Sequence, residues 1–206
     1  MRREEQWLSW AQELQALAQT GLFYTKDIYD KERFQRIREI SAEMVAGASG
    51  LPLERVTDLF CGETGYQTPK IDTRAAIIEN GKILLVRENN GKWSLPGGWC
   101  DAGLSPAENA VKEVREEAGL TARADKLIAV QDRDKHNLPR YVYSITKIFF
   151  LCTATGGAFR PNSETTASDW FALDALPELA EEKNTEEQIR MCFAAARDAH
   201  WQTVFD

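Results

Sequence analysis

The chain has 206 residues, 43% of them apolar, which suffices for one large domain or a medium one beside a small one. A formal net charge of −7 disfavours bulk attraction to nucleic acid or to an anionic membrane, and no apolar run approaches the length of a transmembrane helix. Four scattered cysteines with no C-x-x-C pair and only two histidines argue against zinc and for reduced thiols in a cytoplasmic protein, and Met1–Trp7 lacks the apolar stretch of a secretion signal.

Trp7, Trp10, Leu14 and Leu17 recur at helical spacing and predict a first helix whose stripe enters a core or a dimer contact. A second stripe, Phe34, Ile37, Ile40 and Met44, follows Asp30 as cap; a third, short helix starts at Pro52 and carries Val56, Leu59 and Phe60. Lys31, Arg33, Arg36 and Arg38 alternate with Glu32 and Glu39, the pattern of a solvated helix face. Three helices make a marginal core by themselves. Residues 1–66 are therefore expected to form a small all-helical extension, with Cys61–Pro69 as a linker and residues 67–206 as the main domain.

Beyond the linker the pattern turns to strands. Ile71–Glu79 is followed by Asn80-Gly81, a type I′ hairpin signal, and by the return strand Lys82–Arg87. Asn90-Gly91 marks a second turn before Lys92–Leu95. Further strands are expected near Lys126–Arg133, Tyr141–Thr153 and Ser168–Phe171, and a closing helix from about Thr185 to Ala199 with Asn184 as its cap.

The segment from Gly97 to Leu120 carries the chemistry. A glycine-rich loop feeds a helix with Ser105 as N-cap, Pro106 in the first turn, Glu108 completing a capping box and Gly119 at the C-terminus. Glu113, Glu116 and Glu117, spaced i, i+3, i+4, project from one face of that helix. Like charges so placed repel unless a cation sits among them, and hard oxygen ligands suit Mg²⁺ or Mn²⁺.

The stretch resembles the signature of the Nudix hydrolases. Gly98 matches its opening glycine, and Glu113-Val114-Arg115-Glu116-Glu117-Ala118-Gly119-Leu120 matches its second half; Leu104 and Lys112 stand where the family usually has a glutamate and an arginine. The N-terminal segment 21–34 also resembles the helical extension of a bacterial subgroup that includes ADP-ribose and CDP-choline pyrophosphatases. The resemblance implies an α/β/α sandwich with a mixed sheet and a homodimer built with help from the extension. It implies as substrate a small-molecule nucleoside diphosphate derivative, CDP-choline or a similar NDP-X, cleaved to nucleoside monophosphate and phospho-X. Alternatives are ADP-ribose hydrolysis, trimming of RNA ends, and a non-catalytic nucleotide-sensing domain.

The same resemblance implies metal ligation by Glu113, Glu116, Glu117 and the carbonyl of Gly97. Glu113 and Glu164, the latter in the loop 161–166, are the candidates for general base; Glu117 is counted with them as catalytic. Arg87 resembles a phosphate-binding arginine of the family, with a surface ion pair to Glu88 or Glu79 as the alternative, and Arg74 is a second cationic candidate. Trp93 offers either a flat face to a ligand or a ring to the core.

Overall fold

The structure, a computed structural model, describes residues 6–206; the first five, part of the segment read above as lacking a secretion signal, lie outside them. Two compact units follow one another, Met1–Pro69 and Lys70–Asp206.

The first unit holds α1 (Gln6–Tyr24), α2 (Ile28–Ser49) and α3 (Leu53–Phe60). Its core is made of small and polar groups rather than the aromatic stripe. Ala11, Gln15, Ala18 and Gln19 are the buried face of α1, and Ser41, Ala42 and Val45 that of α2. Buried amides need partners. Gln15 Nε2 donates to the Phe60 carbonyl (3.2 Å), Gln19 Nε2 to that of Gly65 (3.0 Å), and Ser41 Oγ to that of Ala11 (2.9 Å). Within this unit the expected core role of the first stripe is corrected: Trp10 and Leu17 are more than half exposed, whereas Trp7 and Leu14 are half-buried. The cap of α2 is Asp27, which accepts from Asp30 N, not Asp30 itself. The chain enters the helix one turn earlier than the apolar stripe suggests, because Asp27 holds the extended backbone that an N-cap requires.

The second unit contains β1 (Lys70–Glu79), β2 (Lys82–Glu88), β3 (Trp93–Ser94), α4 (Pro106–Ala118), β4 (Leu120–Asp132), α5 (Arg133–His136), β5 (Ile145–Gly157), β6 (Thr165–Ala172), α6 (Glu186–Arg197) and β7 (Val204–Phe205). The sheet order is β3-β2-β1-β5-β4-β7, with β6 also pairing β2. β1 lies parallel to β5, while β4–β5, β2–β3 and β2–β6 are antiparallel, so the sheet is mixed. Asn80 and Gly81 both take positive φ (51° and 76°), as the type I′ turn requires.

Alternation along the strands divides the core into two layers. On one face Ala75, Ile77, Leu84 and Val86 pack against Ala110, Val114 and Ala118 of α4. On the other, Ala76, Ile83, Leu85 and Phe149 pack against Ile189, Cys192 and Phe193 of α6. The result is the α/β/α sandwich.

Three boundaries differ from the sequence reading. β4 begins at Leu120, directly after the αL residue Gly119, rather than near Lys126. β5 begins at Ile145, so Tyr141 and Tyr143 lie before it. α6 is capped by Thr185, whose side chain and Gln188 form a capping box. Asn184 instead turns inward, and its Oδ1 accepts from Leu95 N at 2.8 Å. Asn184→Ala would leave that buried N–H without its partner. It is expected to cost about 1–3 kcal/mol in urea unfolding, more than a lost helix cap alone.

Candidate active site

The site starts from a gap in the sheet. β1 and β2 are paired only at their hairpin end, Ile78↔Ile83 and Glu79↔Lys82. The free edge of β1 takes the glycine loop instead: Ala75 N donates to Pro96 O (2.8 Å) and Thr73 N to Gly98 O (2.9 Å). Gly97 lies between these two bonds with φ 148°, and a Cβ there would fall 1.9 Å from the Thr73 carbonyl oxygen. Only glycine fits. The Gly97 N–H donates to Glu117 Oε2 at 2.8 Å, which ties loop to helix.

Asn109 completes the tie. Fully buried on α4, it donates to Thr73 Oγ1 (2.9 Å) and to the Trp99 carbonyl (3.2 Å), and accepts from Asp101 N (3.0 Å). At the other end of the helix, Thr165 Oγ1 donates to Glu117 O (2.7 Å) and Asn162 Nδ2 to Glu116 O (2.8 Å). Asn162 Oδ1 in turn accepts from the backbone N–H groups of Glu164 and Thr165, both at 2.9 Å. The loop carrying Glu164 is thus pinned to α4.

A cleft of about 760 Å³ gathers Glu113, Glu117, Glu164, Gly97 and Arg74, together with Asp72, Lys147, Arg133 and Lys183. Glu113 and Glu117 are 7% exposed, whereas Glu116 is exposed. Lys112 stands among the acids, 2.9 Å from Glu116, 3.1 Å from Asp101 and 3.3 Å from Glu113. Its ammonium is held above the ordinary lysine range, first by Glu116 and then by Asp101. The lysine that replaces the family's arginine therefore still braces the acidic helix, as a point charge shared among three carboxylates rather than as a fork. Burial pushes the Glu113 carboxyl up despite Lys112. Glu117 rises to about 7 because desolvation outweighs the Gly97 N–H and the Arg74 charge.

The same cleft holds a buried trio. Arg74 grips Asp72 through Nε (3.1 Å) and Nη2 (2.8 Å) and sends Nη1 to the Leu95 carbonyl (3.3 Å). Lys147 Nζ donates to Asp72 Oδ2 (2.7 Å) and to the Lys183 carbonyl. The lysine is 1% exposed, and burial together with Arg74 lowers its pKa to about 8. The trio carries one carboxylate for two cations, so it presents positive charge.

Arg87 and Trp93 are not brought into this cleft. Arg87 is exposed, donates to Thr166 Oγ1 (3.0 Å) and stands 5.9 Å from the Trp93 ring centroid. Trp93 packs edge-on against Phe171 (4.8 Å) beside the core. They are register partners on β2 and β3, and neither lines the cleft. Lys147, Arg133 and Lys183 were missed by the sequence reading. Lys147 had a visible signal: it occupies the inward phase of Ile145-x-Lys147-x-Phe149, where a charge demands a partner. Arg133 and Lys183 sit among ordinary surface charges in the sequence and gave none.

Among the described residues, no three His, Cys, Asp or Glu side chains converge as a ready-made metal cage. The donor set nevertheless fits a hard divalent cation. Two buried carboxylates lie within the cleft with raised pKa values, and Arg74 is already committed to Asp72. The β1 bonds use the carbonyls of Pro96 and Gly98, not that of Gly97.

Residues 69–192 match the NUDIX domain, and residues 5–60 match the UDP-X-like N-terminal oligomerisation domain. The chain is 45% identical over 98% of both lengths to a putative ADP-ribose pyrophosphatase, YjhB, of Bacillus subtilis. The crystal structure of an ADP-ribose pyrophosphatase from Streptococcus suis is 56% identical, covering 68% of this chain and 100% of that one with a TM-score of 0.64. A UDP-X diphosphatase structure is 36% identical over 98% of this chain and 100% of that one, also with a TM-score of 0.64. The chain belongs to the Nudix hydrolases and is a pyrophosphatase of that family.

Glu117 makes the stability of the metal-free protein depend on pH. Its carboxyl titrates near 4.5 when unfolded and near 7 when folded, so between these values the folded chain binds the extra proton. Stability is therefore expected to fall as pH rises from about 4.5 to 7, by roughly 3 kcal/mol at most from this group. Glu113 acts in the same sense. Urea unfolding in EDTA should show this slope, and Glu117→Gln should flatten it.

Proposed function

We propose that the chain is a divalent-metal-dependent pyrophosphohydrolase that splits a nucleoside diphosphate linked to a group X into nucleoside monophosphate and phospho-X. The observation that supports this most is the pair of buried, under-compensated carboxylates, Glu113 and Glu117, beneath the Gly97 loop and in one cleft with the cationic trio. Glu113, Glu116, Glu117 and the Gly97 carbonyl would hold Mg²⁺ or Mn²⁺, which when bound neutralises diphosphate oxygens and orients a water.

The remaining work falls to the chain's own groups. Glu164, on the loop held by Asn162, takes the proton from the attacking water; Glu113 is the alternative base. Arg74 acts through Asp72, holding the Lys147 charge toward the phosphates. CDP-choline and ADP-ribose are both candidate substrates, and the names of the Bacillus and Streptococcus relatives favour ADP-ribose as the second reading. The helical unit is proposed to join two copies into a homodimer through its exposed apolar residues, among them Trp10, Leu17 and Phe23.

A panel of ADP-ribose, UDP-glucose and CDP-choline with Mg²⁺ should yield nucleoside monophosphate and phospho-X from at least one member. Glu117→Gln should abolish turnover while the protein still melts cooperatively, and Glu164→Gln should lower kcat by about 10²–10⁴-fold. No turnover by the wild type on any NDP-X would favour a nucleotide sensor. Light scattering should give twice the monomer mass, and a Trp10→Glu, Leu17→Glu double variant should give the monomer.

A further inference from the structure

Beside the acidic cleft lies a second cavity of about 350 Å³, lined by Lys70, Ile71, Trp99, Cys100, Tyr141 and Tyr143. Trp99 and Tyr141 also line the main cleft, so the two spaces share a wall. Both rings are exposed, at 48% and 42%, while Tyr143 is half-buried and lies 5.7 Å from Tyr141. The backbone of Trp99 is held firmly, by its bridge to Asp72 and by Asn109 Nδ2 on its carbonyl (3.2 Å). An exposed Trp99 ring on fixed backbone, one residue past the glycine pair, with Tyr141 lining the same cavity, provides the makings of a stacking platform.

We infer that this aromatic vestibule takes the nucleobase of the NDP-X substrate, leaving the X group to the opposite side of the cleft; the inference rests on the hydrolase reading above. Three aromatic rings could equally suggest a cage for a quaternary ammonium, such as a choline head group. The charges decide against it. Lys70 Nζ stands 5.1 Å from the Tyr143 ring centroid, and Arg133 Cζ stands 5.4 Å from that of Tyr141. Two of the three rings already have a cation on one face, and the lining of the vestibule contains no carboxylate. Asp101 and Glu113 act on Cys100 from the cleft side, but the cations already on two rings take up the faces a further cation would need, whereas a neutral planar heterocycle with carbonyl or ring-nitrogen acceptors is welcome beside Lys70. Stacking is tolerant of base identity, since every base has a π-face. The same logic accommodates different nucleotides on one platform.

The test uses methylene-bridged ADP and UDP, which lack the scissile oxygen, and methylenediphosphonate, which lacks the base, each titrated calorimetrically into the full chain with Mg²⁺. Trp99→Ala should weaken both nucleotide analogues by about tenfold or more and leave methylenediphosphonate unchanged; Trp99→Phe should restore most of the loss. Either nucleotide analogue should also slow alkylation of Cys100, followed by mass spectrometry, and methylenediphosphonate should not. Equal affinity of Trp99→Ala and wild type for the nucleotides, an equal loss for the base-free probe, or unprotected Cys100 would each overturn the assignment. Base-dependent binding without turnover of any NDP-X would refute the hydrolase reading and leave the nucleobase site standing.

Discussion

The cleft depends on β1 giving up its partner. Over most of its length β1 does not pair with β2 but with the loop through Gly97, whose N–H reaches the Glu117 carboxylate. Strand edges must be satisfied, and here the glycine loop satisfies one while its own spare donor orients a buried acid. Any side chain at 97 would collide with the Thr73 carbonyl, lift the loop and release Glu117. The sheet, the loop and the acidic helix are therefore one construction: Asn109 ties them at the start of α4, and Thr165 and Asn162 tie them at its end.

The electrostatics follow from that construction. Burying Glu113 and Glu117 costs solvation that neither Arg74 nor Lys112 fully offsets, since Arg74 is held by Asp72 and Lys112 is divided among Glu116, Asp101 and Glu113. The glutamates are left short of positive charge, while Arg74 and Lys147, sharing one aspartate in the same cleft, have an excess. On the proposed reading, a hard cation would balance the glutamates and diphosphate oxygens would balance the lysine and arginine.

Much of this was legible in the sequence, because short-range rules govern the parts concerned. The capping box of α4, the αL glycine that ends it and the type I′ turn at Asn80-Gly81 are local chemistry, and the structure shows each of them. The reading failed where distant contacts decide. Trp93 on β3 and Arg87 on β2 are register partners whose side chains engage Phe171 and Thr166 and do not line the cleft. Asn184 looks like a cap and is one residue too early, drawn inward by the Leu95 N–H. Of the two roles expected for the Trp10 and Leu17 stripe, the core role within the unit fails, because α1 turns its alanines and glutamines inward instead, the glutamines to the carbonyls of Phe60 and Gly65. Spacing identifies a face but not what covers it.

The pairing of Asp72 with Lys147 has one more consequence. They are register partners in the parallel β1–β5 ladder and both buried, the lysine between Ile145 and Phe149 on its face of β5. Apolar side chains alone would tolerate a misaligned ladder at a modest packing loss. A one-residue slip here would carry the lysine to the opposite face of the sheet, away from its aspartate and into hydrocarbon. The charges that furnish the cleft thus also favour this one strand alignment, since a slipped ladder would leave both of them buried without a partner.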